Sequence, residues 1–343
     1  MAHPSVRDLL APRSSACTSN GFRYCSCVKV LVTGGSGFAG REIVRQLAAA
    51  GHSVRVLARG SRPVEPGIRF VRGSVLEFAT LPAAFADTEA IIHLVGIIGE
   101  VGPQTFERVH ATGTANAVHA ARAAGITRFL HMSALGTRPN AVSRYHQSKW
   151  AAEESVRRSG LRWTIFRPSL IYGPEDHFTT LFARIARWSP FLPVMGTGAG
   201  LLQPVAVEEV ARCFVAALAV PNSIGQTYDL GGPDRLSFTQ VLETLTSVMG
   251  LRRWQLRIPL TLARLQAAML EAIFPRLLGS ASPLSRDQLT MLQEDNVGDP
   301  DPAQRTFGMV SVDFRNGLKR YLGNPKNPVV HPAASMAAEA GPR

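Results

Sequence analysis

Short runs of apolar residues alternate along the first half of the chain with longer stretches whose apolar positions recur every three or four residues. Lys29–Thr33 reads as a buried strand, followed by a helix over Phe38–Ala50 that Gly51 stops. Val54–Ala58, Ile68–Val71 and Ala90–Val95 are further strands. Gln104–Ala124 has helical periodicity up to Gly125, and the strand Arg128–Met132 follows it. Tyr145–Ser159 is helical up to Gly160, and Arg162–Phe166 returns to strand. Apolar strands separated by helices imply right-handed crossovers and an α/β fold, a Rossmann-type doubly wound parallel sheet. After Pro168 the pattern is less regular. Ser237-Phe-Thr-Gln240 is a capping box opening a helix to Met249, and Leu260–Leu278 is a helical stretch broken at Pro275. The expected division is a sheet domain over residues 28–230 and a smaller α/β lobe with amphipathic helices over 231–323. The lobe is expected above the carboxyl ends of the strands, where such sheets bind ligands.

The two ends read differently. Residues 1–27 carry Arg7, Arg13 and Arg23, a single acid (Asp8) and many hydroxyl residues, without the apolar segment of a secretory signal. Either this is a transit-like or disordered leader, or the start lies upstream of a true initiation at Val28. Residues 324–343 are Pro/Ala-rich and aperiodic, which predicts a disordered tail. At 343 residues with 45% hydrophobic and 18% charged, the chain can bury a sizeable core, which excludes global disorder. No apolar run approaches the ~18–20 residues of a membrane span.

Charge adds one constraint. The net +12 favours anionic partners: nucleic acid, lipid head groups or phosphorylated ligands. The basic residues are scattered and no nucleic-acid motif accompanies them, so no nucleic-acid partner is expected. Four cysteines make no disulfide framework, Cys25-x-Cys27 alone is a poor metal signal, and Cys213 sits in an apolar helical pattern that suits the core. No metal site is expected. Leu256–Leu278 mixes large apolar residues with Arg257, Arg264 and Arg276; one face is expected on the sheet domain and the rest toward a membrane-bound partner or anionic head groups.

The chemistry begins at Thr33-Gly34-Gly35-Ser36-Gly37-Phe38-Ala39-Gly40, between the first strand and the first helix. Gly34 allows the tight turn, Gly37 lets the backbone approach a pyrophosphate, and Gly40 permits close helix–strand packing. The helix N-terminus then offers unpaired N–H groups to the phosphates. At the end of the second strand stands Ala58, followed by Arg59 and, nearby, Arg62. Without a carboxylate there, a 2′-phosphate meets no repulsion and a guanidinium can hold it, so NADP(H) is favoured over NAD(H).

A second constellation combines Ser133, ending the strand Phe129–Ser133, with Tyr145 and Lys149, which share a helix face. A neighbouring cation favours phenolate and suits Tyr145 to acid/base work. Only four of the 37 basic residues are lysines, so Lys at 149 points to a need for an ammonium. Ser133 and Tyr145 are only twelve residues apart, which leaves little room for an active-site loop, and His110 stands in a helix reading His110-Ala-Thr-Gly-Thr114. His110 reads as a proton shuttle or as a polar residue near the cofactor.

These motifs resemble the extended and atypical branches of the short-chain dehydrogenase/reductase superfamily, whose tyrosine is the general acid/base, whose lysine holds the nicotinamide ribose and whose serine orients the substrate. The run Val28–Leu322, with FRPSLIYGPEDHF, QPVAVEEVA, YDLGGPDRLSF and SRDQLTMLQEDNV, is similar to the complex I NADH dehydrogenase (ubiquinone) alpha-subcomplex subunit 9-like group. That resemblance implies Ser133, Tyr145 and Lys149 as catalytic residues. It implies cofactor contacts at Gly34, Ser36, Gly37, Phe38, Gly40, Arg59, Ser74, Leu94, Tyr145, Lys149, Pro168 and Leu170. Ser74 stands where the family has Asp, and Asp176 is expected to cap a helix. The implied role is an NADPH-binding accessory or assembly factor of respiratory complex I, or of ubiquinone biosynthesis, with little or no turnover. Its partners would be NADH:quinone oxidoreductase or quinone-synthesis proteins. Its place would be peripheral to the inner membrane, on the cytoplasmic side in a bacterium or the matrix side in a mitochondrion. The alternative is a catalytic NADP-dependent oxidoreductase or epimerase/dehydratase acting on a small hydroxyl or carbonyl substrate.

Overall fold

The computed structural model describes residues 27–60, 68–277, 279 and 281–323. The expected leader (except Cys27), the expected tail and Arg62 lie outside these residues. Seven parallel strands make one sheet: β1 (Lys29–Thr33), β2 (Ser53–Ala58), β3 (Arg69–Arg72), β4 (Ala90–His93), β5 (Arg128–Met132), β6 (Arg162–Pro168) and β7 (Gln226–Leu230). Their spatial order is 7-6-5-4-1-2-3. The order reverses between β1 and β4, which opens a crevice at the carboxyl ends of these two strands. The longer helices are α1 (Phe38–Ala49), α2 (Gly113–Ala123), α3 (Arg144–Arg157), α4 (His177–Trp188), α5 (Val207–Ala217), α6 (Phe238–Val248) and α7 (Leu260–Leu277).

Because successive side chains of a strand point to opposite faces, the sheet builds two cores. Val30, Val32, Val56 and Ile92 meet Ile43, Val44 and Leu47 of α1 and Val210 and Phe214 of α5, with Cys213 buried among them. Leu31, Ile91 and Phe129 meet Ala117 and Ala121 of α2 and Val156 of α3. Both faces are covered, so the strands read as nearly continuous apolar runs.

Several elements differ from the sequence reading: β4 ends at His93, two residues before the expected Val95, and α3 spans Arg144–Arg157 where the pattern predicts Tyr145–Ser159. Gln104 bridges Val101, and the helix begins at Phe106 with a π-helical stretch (Glu107–Thr112) before α2. β6 runs two residues further, because Arg167 and Pro168 still pair with Asp229 and Leu230 of β7. α7 passes through Pro275 to Leu277, where the lost backbone bond and the ring's crowding of the carbonyl four residues back fall on the last turn and do not break the helix.

The lobe forms where Phe191–Met195 pairs in parallel with Trp254–Ile258, so the chain contributes to it from both sides of residue 230. Phe178 and Phe182 of α4 pack edge-to-face with Phe238 of α6 at ring distances of 5.9 and 5.6 Å. Asp176 caps α4, accepting from Thr179 N–H at 2.5 Å, and both halves of the Ser237/Gln240 capping box form. Among the described residues no helix is long and apolar enough to cross a membrane.

Candidate functional site

The crevice between β1 and β4 is lined by Gly34, Ser36, Gly37, Ala58, Arg59, Ser74 and Leu94, with Val75, Leu76, Gly96 and Ile97 beside them. Gly34 has φ +78°, and the turn closes with Gly37 N–H donating to Gly34 C=O at 3.1 Å. A Cβ on Gly40 would collide with the Gly34 carbonyl oxygen, so α1 rests directly on the turn. At Gly37 a Cβ would meet no protein atom nearer than 3.4 Å. What glycine preserves there is room on the cleft side. No side chain caps α1, so its first-turn N–H groups are available at the same place. This cradle, with the exposed guanidinium of Arg59 at the far wall, suits a phosphate-bearing dinucleotide. Phe38 turns its ring toward Gly173 and offers only its backbone to the cleft. Ser74 is buried; its hydroxyl accepts from Leu76 N–H at 3.2 Å and its own N–H donates to Thr80 Oγ1 at 3.2 Å.

Gly96 joins this cleft to the second constellation. A Cβ on Gly96 would stand 2.9 Å from Lys149 Nζ, so the ammonium reaches the cleft only past a residue without a side chain. Lys149 is buried and donates to the Met132 carbonyl at 3.2 Å, immediately before Ser133. Its Nζ lies 5.9 Å from the centre of the Tyr145 ring. Ser133 is buried at the end of β5, its hydroxyl 3.4 Å from Thr137 Oγ1. Pro168 and Leu170 lie at the same edge of the sheet, at the carboxyl end of β6 and beyond the residues that line the crevice; the Pro168 carbonyl accepts from Leu135 N–H at 2.9 Å.

The electrostatics differ from the expectation. Burial pushes the Tyr145 phenol up to about 12 and the Lys149 ammonium down to about 8, the latter opposed by the carboxylate of Glu153. In this arrangement desolvation of the phenol outweighs any help from the lysine, so Tyr145 is protonated at neutral pH.

His110 is not free to shuttle protons. Its Nε2 accepts from Ile97 N–H at 3.0 Å, which leaves the ring proton on Nδ1, 2.8 Å from Ser148 Oγ. The Ser148 hydroxyl donates in turn to the Tyr145 carbonyl at 2.7 Å. Burial, and then the Lys149 cation, lower His110 to about 2, so the imidazole is a neutral strut between the β4 loop and the Tyr145 backbone. His93, bridging Thr33 and Thr114 at 2.7 and 3.1 Å, falls to about 3 for the same two reasons and stacks on buried His131.

Sequence reasoning missed three contributors. Gly96 belongs to no spacing pattern. Glu153 is fully buried and takes two bonds from Arg167, at 2.8 and 2.6 Å, and one from Arg157 at 2.6 Å. Its place four residues after Lys149 was the available signal. Asp287 accepts from the Arg144 and Tyr145 N–H groups at 2.7 and 3.1 Å, tying the C-terminal segment to the start of α3 across more than a hundred residues of sequence.

A parallel sheet with this crevice defines the class: a dinucleotide-binding α/β protein of the Rossmann type. Residues 30–231 match the NAD dependent epimerase/dehydratase family, and the chain belongs to it. It is 31% identical over 295 residues (81% of this chain, 73% of the relative) to the mitochondrial NADH dehydrogenase [ubiquinone] 1 alpha subcomplex subunit 9 of Arabidopsis thaliana. It is 34% identical over 236 residues (67% of this chain, 73% of the relative) to the ceramide reductase of Caulobacter vibrioides. Among solved structures, the dTDP-glucose 4,6-dehydratase of Streptomyces venezuelae with NAD bound superposes with a TM-score of 0.66 at 23% identity, covering 85% of this chain and 95% of that one. At that identity the likeness concerns the fold alone.

Proposed function

We propose that the chain is an NADP(H)-dependent reductase in which Tyr145 gives a proton to the oxygen of a carbonyl substrate. Ser133 orients that oxygen and Lys149 holds the ribose. The observation that carries this reading is the position of Lys149: one ammonium, anchored on the Met132 carbonyl, is close to both the Tyr145 ring and the Gly96 wall of the cleft. Bound NADPH supplies two electrons and one hydrogen, and the proton from Tyr145 completes the alcohol. The phenol is protonated at neutral pH, the state reduction requires of an acid, and burial, by raising it to about 12, also makes it a weaker donor. In this reading Gly34, Ser36, Gly37 and the Phe38 backbone hold the pyrophosphate, and Gly40 serves it by letting α1 rest on the turn. Arg59 takes the 2′-phosphate, Ser74 and Leu94 flank the adenosine, and Pro168 and Leu170 border the nicotinamide. The Caulobacter relative favours a lipid-type substrate.

The test is Tyr145→Phe, assayed for oxidation of NADPH by oxo-lipids and for cofactor affinity. A fall in turnover of ~10²–10⁴ with affinity unchanged is expected from loss of the acid. Unchanged turnover would rule out this role for Tyr145.

The Arabidopsis match, spanning 81% of the chain, favours a second reading: the same cleft holds NADP(H) with little turnover, and the protein serves respiratory complex I or ubiquinone biosynthesis at the inner membrane. Native-gel analysis of gently solubilised cells decides between them. Comigration with NADH:quinone oxidoreductase or quinone-synthesis proteins supports the accessory role, and its absence supports the reductase.

A further inference from the structure

α7 is turned inside out relative to an ordinary surface helix. Its wholly buried residues are Ala263 and Ala267, packed against Leu289 of the Arg286–Met291 helix. Its large aliphatics Leu262, Leu265, Met269 and Ile273 are 56, 60, 57 and 44% exposed. Their spacings of three, four and four residues place them in one stripe along a helix about 27 Å long. The strand leading into α7 continues the pattern, since Trp254 and Leu256 project from its outer face at 71 and 53% exposure. Trp254 rests against Phe191 at 5.5 Å, and the neighbouring Trp188 is 86% exposed. Contiguous exposed apolar surface of this kind marks an interaction site.

Charge identifies the occupant. The two segments that build this side of the lobe, residues 177–207 and 244–270, contain six arginines and no Asp or Glu. Arg184, Arg187, Arg252, Arg257 and Arg264 are exposed. Of the nearest acids in sequence on α6 and α7, Glu271 is bound by the backbone and side chain of Arg286, and Glu243 accepts from the neutral amide of Gln255 and keeps its charge, a single acid against these arginines. Leucine, methionine and tryptophan among largely unopposed arginines match the interface of an anionic bilayer, in which acyl chains lie beneath phosphate. Close packing of the small residues prevents α7 from rotating its leucines inward.

We propose that the outer face of α7 and of strand Trp254–Ile258 seats the protein on an anionic membrane surface, with α7 lying in the plane of the interface. This is independent of the proposed reductase chemistry, since the cofactor cleft uses none of these residues. The experiment is sedimentation of the full chain with vesicles of phosphatidylcholine, with and without phosphatidylglycerol, while retention of NADPH is followed in the same samples. Binding to the anionic vesicles is expected, about tenfold weaker without phosphatidylglycerol and weakened by high salt. Leu265→Asp with Met269→Asp should lower it at least about tenfold, with melting temperature and NADPH retention unchanged. Arg257→Glu with Arg264→Glu should remove the preference for anionic lipid and leaves the helix stripe intact. Failure of the wild-type chain to bind either vesicle overturns the proposal, as does binding indifferent to both double variants. So does self-association that the Asp variant abolishes, which would make a second copy the occupant.

Discussion

α1 and α7 are both rich in apolar residues, and they bury opposite halves of themselves. α1 turns Ile43, Val44 and Leu47 onto the sheet, filling the interval between a helix and a strand layer with large side chains. α7 wholly buries only Ala263 and Ala267 against its partner helix and leaves Leu262, Leu265, Met269 and Ile273 outside. Apolar content therefore does not decide which face of a helix is core. The space the neighbour leaves decides it, and where that space admits only alanine, larger residues become surface with a purpose. The contrast also separates two functions. The half built around α1 carries the cleft, and the half ending in α7 carries the candidate docking face.

The contrast can be broken first at the sheet half. Glu153→Ala removes the buried carboxylate that holds Arg157 and Arg167, and should cost about 3–5 kcal/mol in denaturant unfolding. Leu47→Ala should cost about 2–5 kcal/mol, as a cavity in a fully buried position does. A smaller loss at both sites would show that this core is looser than its packing.

Acid provides a graded version of the same test. His93 at about 3 and His110 at about 2 are neutral in the fold, whereas an unfolded histidine titrates at ~6.5. The unfolded chain thus binds more protons below ~6.5. Their stabilising contribution is complete above that value and is lost as pH falls toward 3, by at most about 1.4 kcal/mol per pH unit for each histidine. Unfolding free energies measured between pH 7 and pH 4 check the slope, and His110→Gln should lessen it. The smallest effect belongs to α7: Leu265→Ala should change stability by no more than about 0.5 kcal/mol, because its side chain stays mostly in water in the folded state. A loss comparable to that of Leu47→Ala would erase the comparison.

Local pattern made β1 and β5 legible to the residue, because each is a short apolar run bounded by turn residues and buried on both faces. It could not reach the last two residues of β6, which are strand only because Asp229 and Leu230 lie alongside. The glycine turn and the Tyr–Lys pair were readable because their chemistry requires fixed spacing. Gly96 and Asp287 were not, since each acts on a partner brought near by the fold alone. The leucine stripe of α7 was visible as a period, but its outward orientation depends on how closely Leu289 approaches.

The most direct measurement is a pair of equilibrium titrations of NADPH and NADH into the purified chain and into its Arg59→Ala variant. The account predicts tighter binding of NADPH by the wild type. It also predicts that Arg59→Ala weakens NADPH by ~1.5–3 kcal/mol, one to two decades, while NADH is nearly unaffected. Equal affinities for the two dinucleotides, equal losses in the variant, or no binding of either would contradict it.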